Sequence, residues 1–105
     1  MAEYMQVVTT TDSEEAAADL ARSIVDARAG ACVQVVPVRS FYRWEQAVQD
    51  DPEWQLQVKT AAGSLDALMR CIKNNHTYDV PEIIATPITV GNEAYLSWVD
   101  EETQA

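Results

Sequence analysis

The sequence is poor in the residues that several common functions require. Only seven of its 105 residues are Lys or Arg, against 17 Asp and Glu, so the formal net charge at pH 7 is −10. Neutralising nucleic-acid phosphates or anionic lipid headgroups needs clustered basic residues, so we expect neither nucleic acid nor a membrane surface as a partner. No run approaches the ~20 apolar residues of a membrane-spanning helix.

Residues with catalytic potential are equally scarce. Two cysteines are too few for a disulfide scaffold, and three glycines are too few for a phosphate-binding loop. The sequence contains no HExxH motif and no Ser-His-Asp order, so it predicts no hydrolase, kinase or metalloprotease, and we expect a protein that is not an enzyme. Residues 1–15 lack the pattern of a signal peptide, so we expect a cytoplasmic protein with reduced thiols.

What the chain does contain is a high hydrophobic content, 48%, which is enough for the core of one domain over residues 1–105. The hydrophobic periodicity predicts the order β-α-β-β-α-β followed by a short helix. The predicted elements are a strand over 4–10, a helix from Ser13 to Ala29, a long strand region Ala31–Val48, a strand Trp54–Lys59, a helix from Gly63-Ser64 to Asn74-Asn75, a strand Glu82–Thr86, and a helix that contains Tyr95, Trp98 and Val99.

Three local signals predict where these elements begin and end. Asp12 is the expected N-cap of the first helix, with Glu15 in the capping-box position. Gly30 is expected to end that helix in the left-handed conformation. Asp50-Asp51-Pro52 is expected to form the turn between the second and third strands.

The element order predicts an α+β, ferredoxin-like βαββαβ sandwich with a long β-hairpin. The 18 residues of Ala31–Val48 would span roughly 60 Å if straight, whereas a domain of this length has a radius of gyration near 13 Å. The hairpin, which carries Phe41, Tyr42 and Trp44, must therefore project or bend. Exposed aromatic residues on an open edge favour an oligomer in which strands pair between subunits. The alternative is that Pro37 bends the strand back onto its own sheet.

Short segments throughout the chain carry a family resemblance. They are Thr9-Thr10, Ala31-Cys32-Val33, Ser40–Glu45, Glu53, Lys59-Thr60, His76–Ile83 and Tyr95–Trp98. In this order and spacing, from Val7 to Val99, the chain resembles the CutA family, also called divalent-cation tolerance proteins. It departs from the family pattern at Gln46-Ala47, where Gly-Lys is usual, at Thr77, where Pro is usual, and at Gly30, where Ala is usual.

The resemblance implies a ferredoxin-like subunit that assembles as a homotrimer through strand pairing between subunits. It also implies an association with tolerance to copper and other divalent cations. Copper or another divalent cation is therefore the expected ligand, while protein partners other than further copies of the chain are left unassigned.

Three residues are candidate metal ligands: Cys32, His76 and Cys71. Cysteine is a soft ligand, although Cys32, at the start of a strand, has core packing as its alternative role. On a regular helix Cys71 and His76, at i and i+5, would point roughly 140° apart, so they could share an ion only if the helix ends at Asn74-Asn75. A threefold axis would gather three copies of His76. Alternatively, His76 bonds a backbone carbonyl and holds the turn before the last strand.

In the family, positions that match Tyr42, Trp44, Lys59, Tyr78 and Glu82 line a cleft between subunits. An amine, a carboxylate and two phenols would suit an anionic or zwitterionic small molecule. The sequence therefore leaves two further hypotheses open, a small-ligand sensor or scaffold that binds in these clefts and an unassigned enzyme. Lys59, at the end of an alternating strand, has exposure to solvent as its alternative role.

Overall fold

Over residues 3–104, which a computed structural model describes, the chain forms one four-stranded antiparallel sheet and three α-helices. The strand order is β2-β3-β1-β4, which confirms the predicted ferredoxin-like α+β arrangement. The elements are β1 (Tyr4–Thr11), α1 (Glu14–Asp26), β2 (Cys32–Trp44), β3 (Ala47–Ala61), a 3-10 turn (Ala62–Ser64), α2 (Leu65–Asn75), β4 (Ile84–Ile88) and α3 (Glu93–Glu102).

The core lies between the sheet and the first two helices. Leu20 and Ile24 of α1, and Leu68 and Ile72 of α2, are four residues apart, so each pair lies on one helical face. These side chains are buried together with Val7, Leu56 and Val58 of the sheet. Burial of each aliphatic side chain contributes about 1.5–3 kcal/mol to the free energy of folding. This packed layer is the part of the domain from which the hairpin extends.

The ends of α1 differ from the predicted ones. Ser13, not Asp12, is the N-cap, because its hydroxyl accepts a hydrogen bond from the Ala16 N–H at 3.0 Å. The helix ends at Asp26, three residues before the predicted end. The predicted start was therefore wrong by one residue and the predicted end by three.

The left-handed residue after α1 is Arg28, with φ of 58°, and not Gly30. This conformation brings the Arg28 guanidinium to the backbone carbonyls of Glu101 and Glu102, at 2.6 and 3.1 Å. A cation at the C-terminus of α3 offsets the unfavourable placement of acidic residues there. Arg28 thus supplies the positive charge that the last turn of α3 itself lacks.

The hairpin turn also lies elsewhere than predicted. Glu45 and Gln46, with φ of 50° and 67°, connect β2 to β3. A two-residue turn with both residues left-handed follows the twist of the paired strands. Asp50–Pro52 instead lies within β3, where Asp50 faces Phe41 in the ladder. β1 pairs with β3 only as far as Trp54, so the edge of β3 that would face β1 has no neighbouring strand at Pro52. Proline is tolerated at such an edge because no hydrogen bond to a neighbouring strand is lost there.

The hairpin projects from the sheet, as predicted. We call its outer part, residues 37–53, the arm; it consists of β2 and β3 alone. Pairing runs without a break from Pro37 opposite Trp54 to Trp44 opposite Ala47, so the alternative in which Pro37 turns the strand back is wrong. The molecule is accordingly elongated, 44 × 25 × 21 Å.

The last strand is displaced by two residues from its predicted position, Glu82–Thr86. β4 pairs only with β1 and forms the edge of the sheet, which allows it to contain Pro87. Residues 76–83 therefore form a longer loop than expected. Within the described residues, no helix has the length and apolar character needed to cross a membrane.

Candidate functional site

The arm and the loop 76–83 border an open cavity of about 490 Å³. Its apolar surface comes mainly from four aromatic residues, and its charge comes from three carboxylates. The aromatic residues are Phe41, Tyr42, Trp44 and Tyr78, and the carboxylates are Glu53, Asp79 and Glu82. A volume of this size is within the range of small-molecule sites.

A short hydrogen bond joins the two sides of the cavity. The Tyr78 hydroxyl, on the loop, donates to Glu53 Oε2, on β3, at 2.6 Å. Glu53 is only 8% exposed. Burial and then the bond to the Glu53 carboxylate raise the pKa of Tyr78 far above its usual range, so the phenol stays protonated and remains a donor.

Two further pairs of polar side chains are formed within the arm. Arg39 binds Asp50 with two hydrogen bonds of 2.8 and 2.7 Å, and this pairing lowers the pKa of Asp50. The Tyr42 hydroxyl donates to Asp51 at 2.7 Å, a bond that raises the pKa of Tyr42. Both aspartates are thus paired with side chains of β2, Arg39 outside the cavity lining and Tyr42 within it, which accounts for an Asp-Asp-Pro segment in a strand.

The structure brings together four of the five predicted cleft residues: Tyr42, Trp44, Tyr78 and Glu82 line one cavity. Lys59 does not line it. Its ammonium donates to the Gln34 amide oxygen at 3.1 Å, across the β2–β3 ladder. The amine that suggested an anionic ligand is therefore absent from the cavity lining.

Sequence reasoning missed Glu53 as a cavity residue. A usable signal was present, because Trp54, Leu56 and Val58 alternate with polar residues in β3. Extending that alternation by one position places Glu53 on the polar side of the strand. What the alternation does not reveal is that the loop 76–83 covers this position.

Both ring nitrogens of His76 are engaged in hydrogen bonds. Nδ1 accepts from the Tyr78 backbone N–H at 2.9 Å, so the ring proton lies on Nε2, which donates to the Thr10 carbonyl at 2.8 Å. The ring thus ties the start of the loop to β1 and holds Tyr78 in place. These bonds match the second role considered for His76, that of a residue that bonds a backbone carbonyl and holds the turn before the last strand.

The two cysteines lie in different settings. Cys71, on α2, is half-buried; burial raises its pKa, and Asn75 donates to its carbonyl oxygen at 2.8 Å. Cys32 begins β2 beside Tyr95 of α3, whose pKa is raised by burial and by the neighbouring thiol. Over residues 3–104, no three His, Cys, Asp or Glu side chains are grouped so that they could hold a metal ion.

These features define a class of protein: a ferredoxin-like α+β domain with a projecting two-stranded arm and an acidic, aromatic cavity along the arm. Residues 5–102 match the family profile described as CutA1 divalent ion tolerance protein. The chain therefore belongs to the CutA1 divalent ion tolerance family, as the resemblance predicted.

Relatives from distant organisms share this architecture. Over 99 residues the chain is 46% identical to the chloroplastic protein CutA 1 of Oryza sativa, covering 93% of this chain but 56% of the rice protein. It is 44% identical to the divalent-cation tolerance protein CutA of Thermus thermophilus, covering 92% of this chain and 95% of that one. This chain thus spans little more than half the length of the rice relative.

Solved structures agree with the fold. Rice CutA1 superposes with a TM-score of 0.94 at 44% identity, covering 98% of this chain and 95% of the rice chain. The Thermus thermophilus protein gives 0.92 at 42% identity, covering 96% and 99%. A protein of Archaeoglobus fulgidus, described as a periplasmic divalent cation tolerance protein, gives 0.93 at 30% identity, also covering 96% and 99%.

Proposed function

We propose that this protein acts as a homotrimer in tolerance to divalent cations, with copper as the first cation to test. The observation that carries the assembly is the arm, where Phe41, Trp44 and Val48 are 60–67% exposed in the single chain. Apolar side chains on an unsupported pair of strands invite pairing with other chains. In a closed threefold ring each of the three arms can pair with a neighbouring chain, and no strand edge is left free for growth into a filament.

A cation site in this assembly needs ligands from more than one subunit, since the described part of one chain groups no three suitable side chains. Of the three predicted ligands, Cys32 is the one we propose first. The raised pKa of Cys71 disfavours its thiolate, which is the form that binds metals. A metal at His76 would have to displace one of two short hydrogen bonds. A cysteine thiolate is a soft ligand and suits copper-type ions.

Copper binding is the test of the cation proposal. We expect anaerobic calorimetric titration of the full chain to show saturable binding, and Cys32→Ser to weaken it by about tenfold or more, the equivalent of ~1.4 kcal/mol. Cys71→Ser is the matched control and should bind as the wild type does. Absence of saturable binding near micromolar copper, or equal losses in both serine variants, would contradict the proposal.

A second function, a small-ligand sensor or scaffold, is favoured by the cavity of about 490 Å³ with its polar groups converging from β3 and the loop. In the trimer this cavity would open into a cleft between subunits. We further propose that the protein works in the cytoplasm, where its two free cysteines would stay reduced.

A further inference from the structure

Two of the residues that line the cavity are buried, although the cavity itself is open. Thr10, on β1, is 7% exposed and Glu53, on β3, is 8% exposed, whereas Phe41 and Trp44 of the arm are 64% and 60% exposed. We call Thr10 and Glu53 the floor of the cavity. Because both residues are buried within a single chain, assembly with further copies does not expose them unless the chain itself moves.

The part of the loop that crosses the floor is residues 77–82, which we call the strap. Both of its ends are held on β1. Before the strap, the His76 ring donates to the Thr10 carbonyl, and after it β4 pairs with β1. Between these ends the strap extends to β3, where the Tyr78 hydroxyl donates to Glu53 Oε2 at 2.6 Å. The strap is therefore fastened at both ends on β1 and at one point on β3.

The rest of the strap is held weakly. Within the described chain, no hydrogen bond joins residues 79–82 to another segment, and Pro81 has no N–H to donate. Val80 is 84% exposed. Over residues 3–104, the bond from Tyr78 to Glu53 is thus the only hydrogen bond between the strap and β3. Segments with few buried contacts open at a lower free energy than the core does.

We propose that the strap closes the floor of the cavity and that the hydrogen bond between Tyr78 and Glu53 is its latch. When this bond breaks, the strap moves outward about its two ends, and a ligand reaches Thr10 and the Glu53 carboxylate. His76 stays bonded to β1 and returns Tyr78 to the closed position. The inference deepens the ligand-binding function proposed above. Its test uses no ligand, so either one can fail while the other stands.

Modification of a thiol on the floor measures how often the strap opens. Thr10→Cys supplies that thiol, and iodoacetamide treatment of the full chain followed by peptide mass spectrometry gives its labelling rate. Tyr78→Phe removes only the latch hydroxyl, and we expect it to raise the rate by about tenfold or more, because hydrogen bonds to charged groups are among the stronger ones. Tyr42→Phe is the matched control. It removes a phenol–carboxylate bond of 2.7 Å to Asp51 within the arm and should leave the rate unchanged.

Two further measurements distinguish a latch from general support of the fold. Glu53→Ala removes the other half of the latch and should also speed labelling, and its combination with Tyr78→Phe should label no faster than the faster single variant. Cys32, which begins β2 outside the cavity lining, is the internal reference and should keep its wild-type rate. An unchanged rate at position 10 in Tyr78→Phe, or an equal increase at Cys32, would overturn the proposal. An equal increase in Tyr42→Phe, or additive effects of the two latch variants, would overturn it as well.

Discussion

Trp44→Ala should destabilise the protein far more than Val90→Ala, although both side chains are mostly exposed in the single chain, 60% and 87%. If the arms pack together in a trimer, Trp44 is buried there, and its truncation should lower the free energy of unfolding by about 3 kcal/mol per subunit. Val90 follows β4 and lies outside the arm, so its truncation should change stability by at most about 0.5 kcal/mol.

Thermal unfolding at several protein concentrations measures this effect. The melting temperature of an assembled protein rises with concentration, and Trp44→Ala should both lower it and weaken that dependence. Val90→Ala should reproduce the wild-type curves. Two variants that melt alike, with no dependence on concentration in the wild type, would show that the arm is not an interface.

Gly30→Ala should lower the free energy of unfolding by about 1–3 kcal/mol, the usual cost of overpacking a core. A Cβ at position 30 would lie 2.5 Å from Val58 Cγ1 and 2.8 Å from Ile24 Cγ2. Both neighbours are fully buried and β-branched, so neither side chain has another rotamer readily available. The neighbouring side chains thus occupy the space that a Cβ would take.

The matched control for this change is Gly63→Ala, since no atom lies within 4 Å of a Cβ built at Gly63. Alanine there should be neutral or stabilise by about 0.4–1 kcal/mol through the unfolded chain. Denaturant unfolding at one fixed protein concentration compares the two variants. A midpoint for Gly30→Ala equal to that of Gly63→Ala would mean that the core relaxes around the added methyl group.

Periodic patterns in the sequence predicted the fold because burial on one face is a regular property of each element. Leu68 and Ile72 lie on one helical face, and the alternation from Trp54 to Val58 marks a strand with two different sides. The hairpin turn was missed for a different reason. Glu45-Gln46 has none of the residues that favour a primed turn, whereas Asp50-Asp51-Pro52 has the composition of a turn but lies in a strand.

The candidate site was only partly predictable because it depends on contacts between distant segments. Glu53 and Tyr78 are 25 residues apart, and His76 holds Tyr78 by bonding to a carbonyl 66 residues away. No local spacing encodes such pairs. The family resemblance supplied Tyr78 and Glu82, whereas the position of Lys59 beside Gln34 became clear only from the strand register.

Sedimentation equilibrium of the full chain at micromolar concentration tests the central claim, that the arm assembles the protein as a homotrimer. One chain has a mass of 11.7 kDa, so three times that value, about 35 kDa, is the mass that we predict. A cooperatively folded species at 11.7 kDa would contradict the account. A species of twice the chain mass would support the arm as an interface and contradict the threefold assembly.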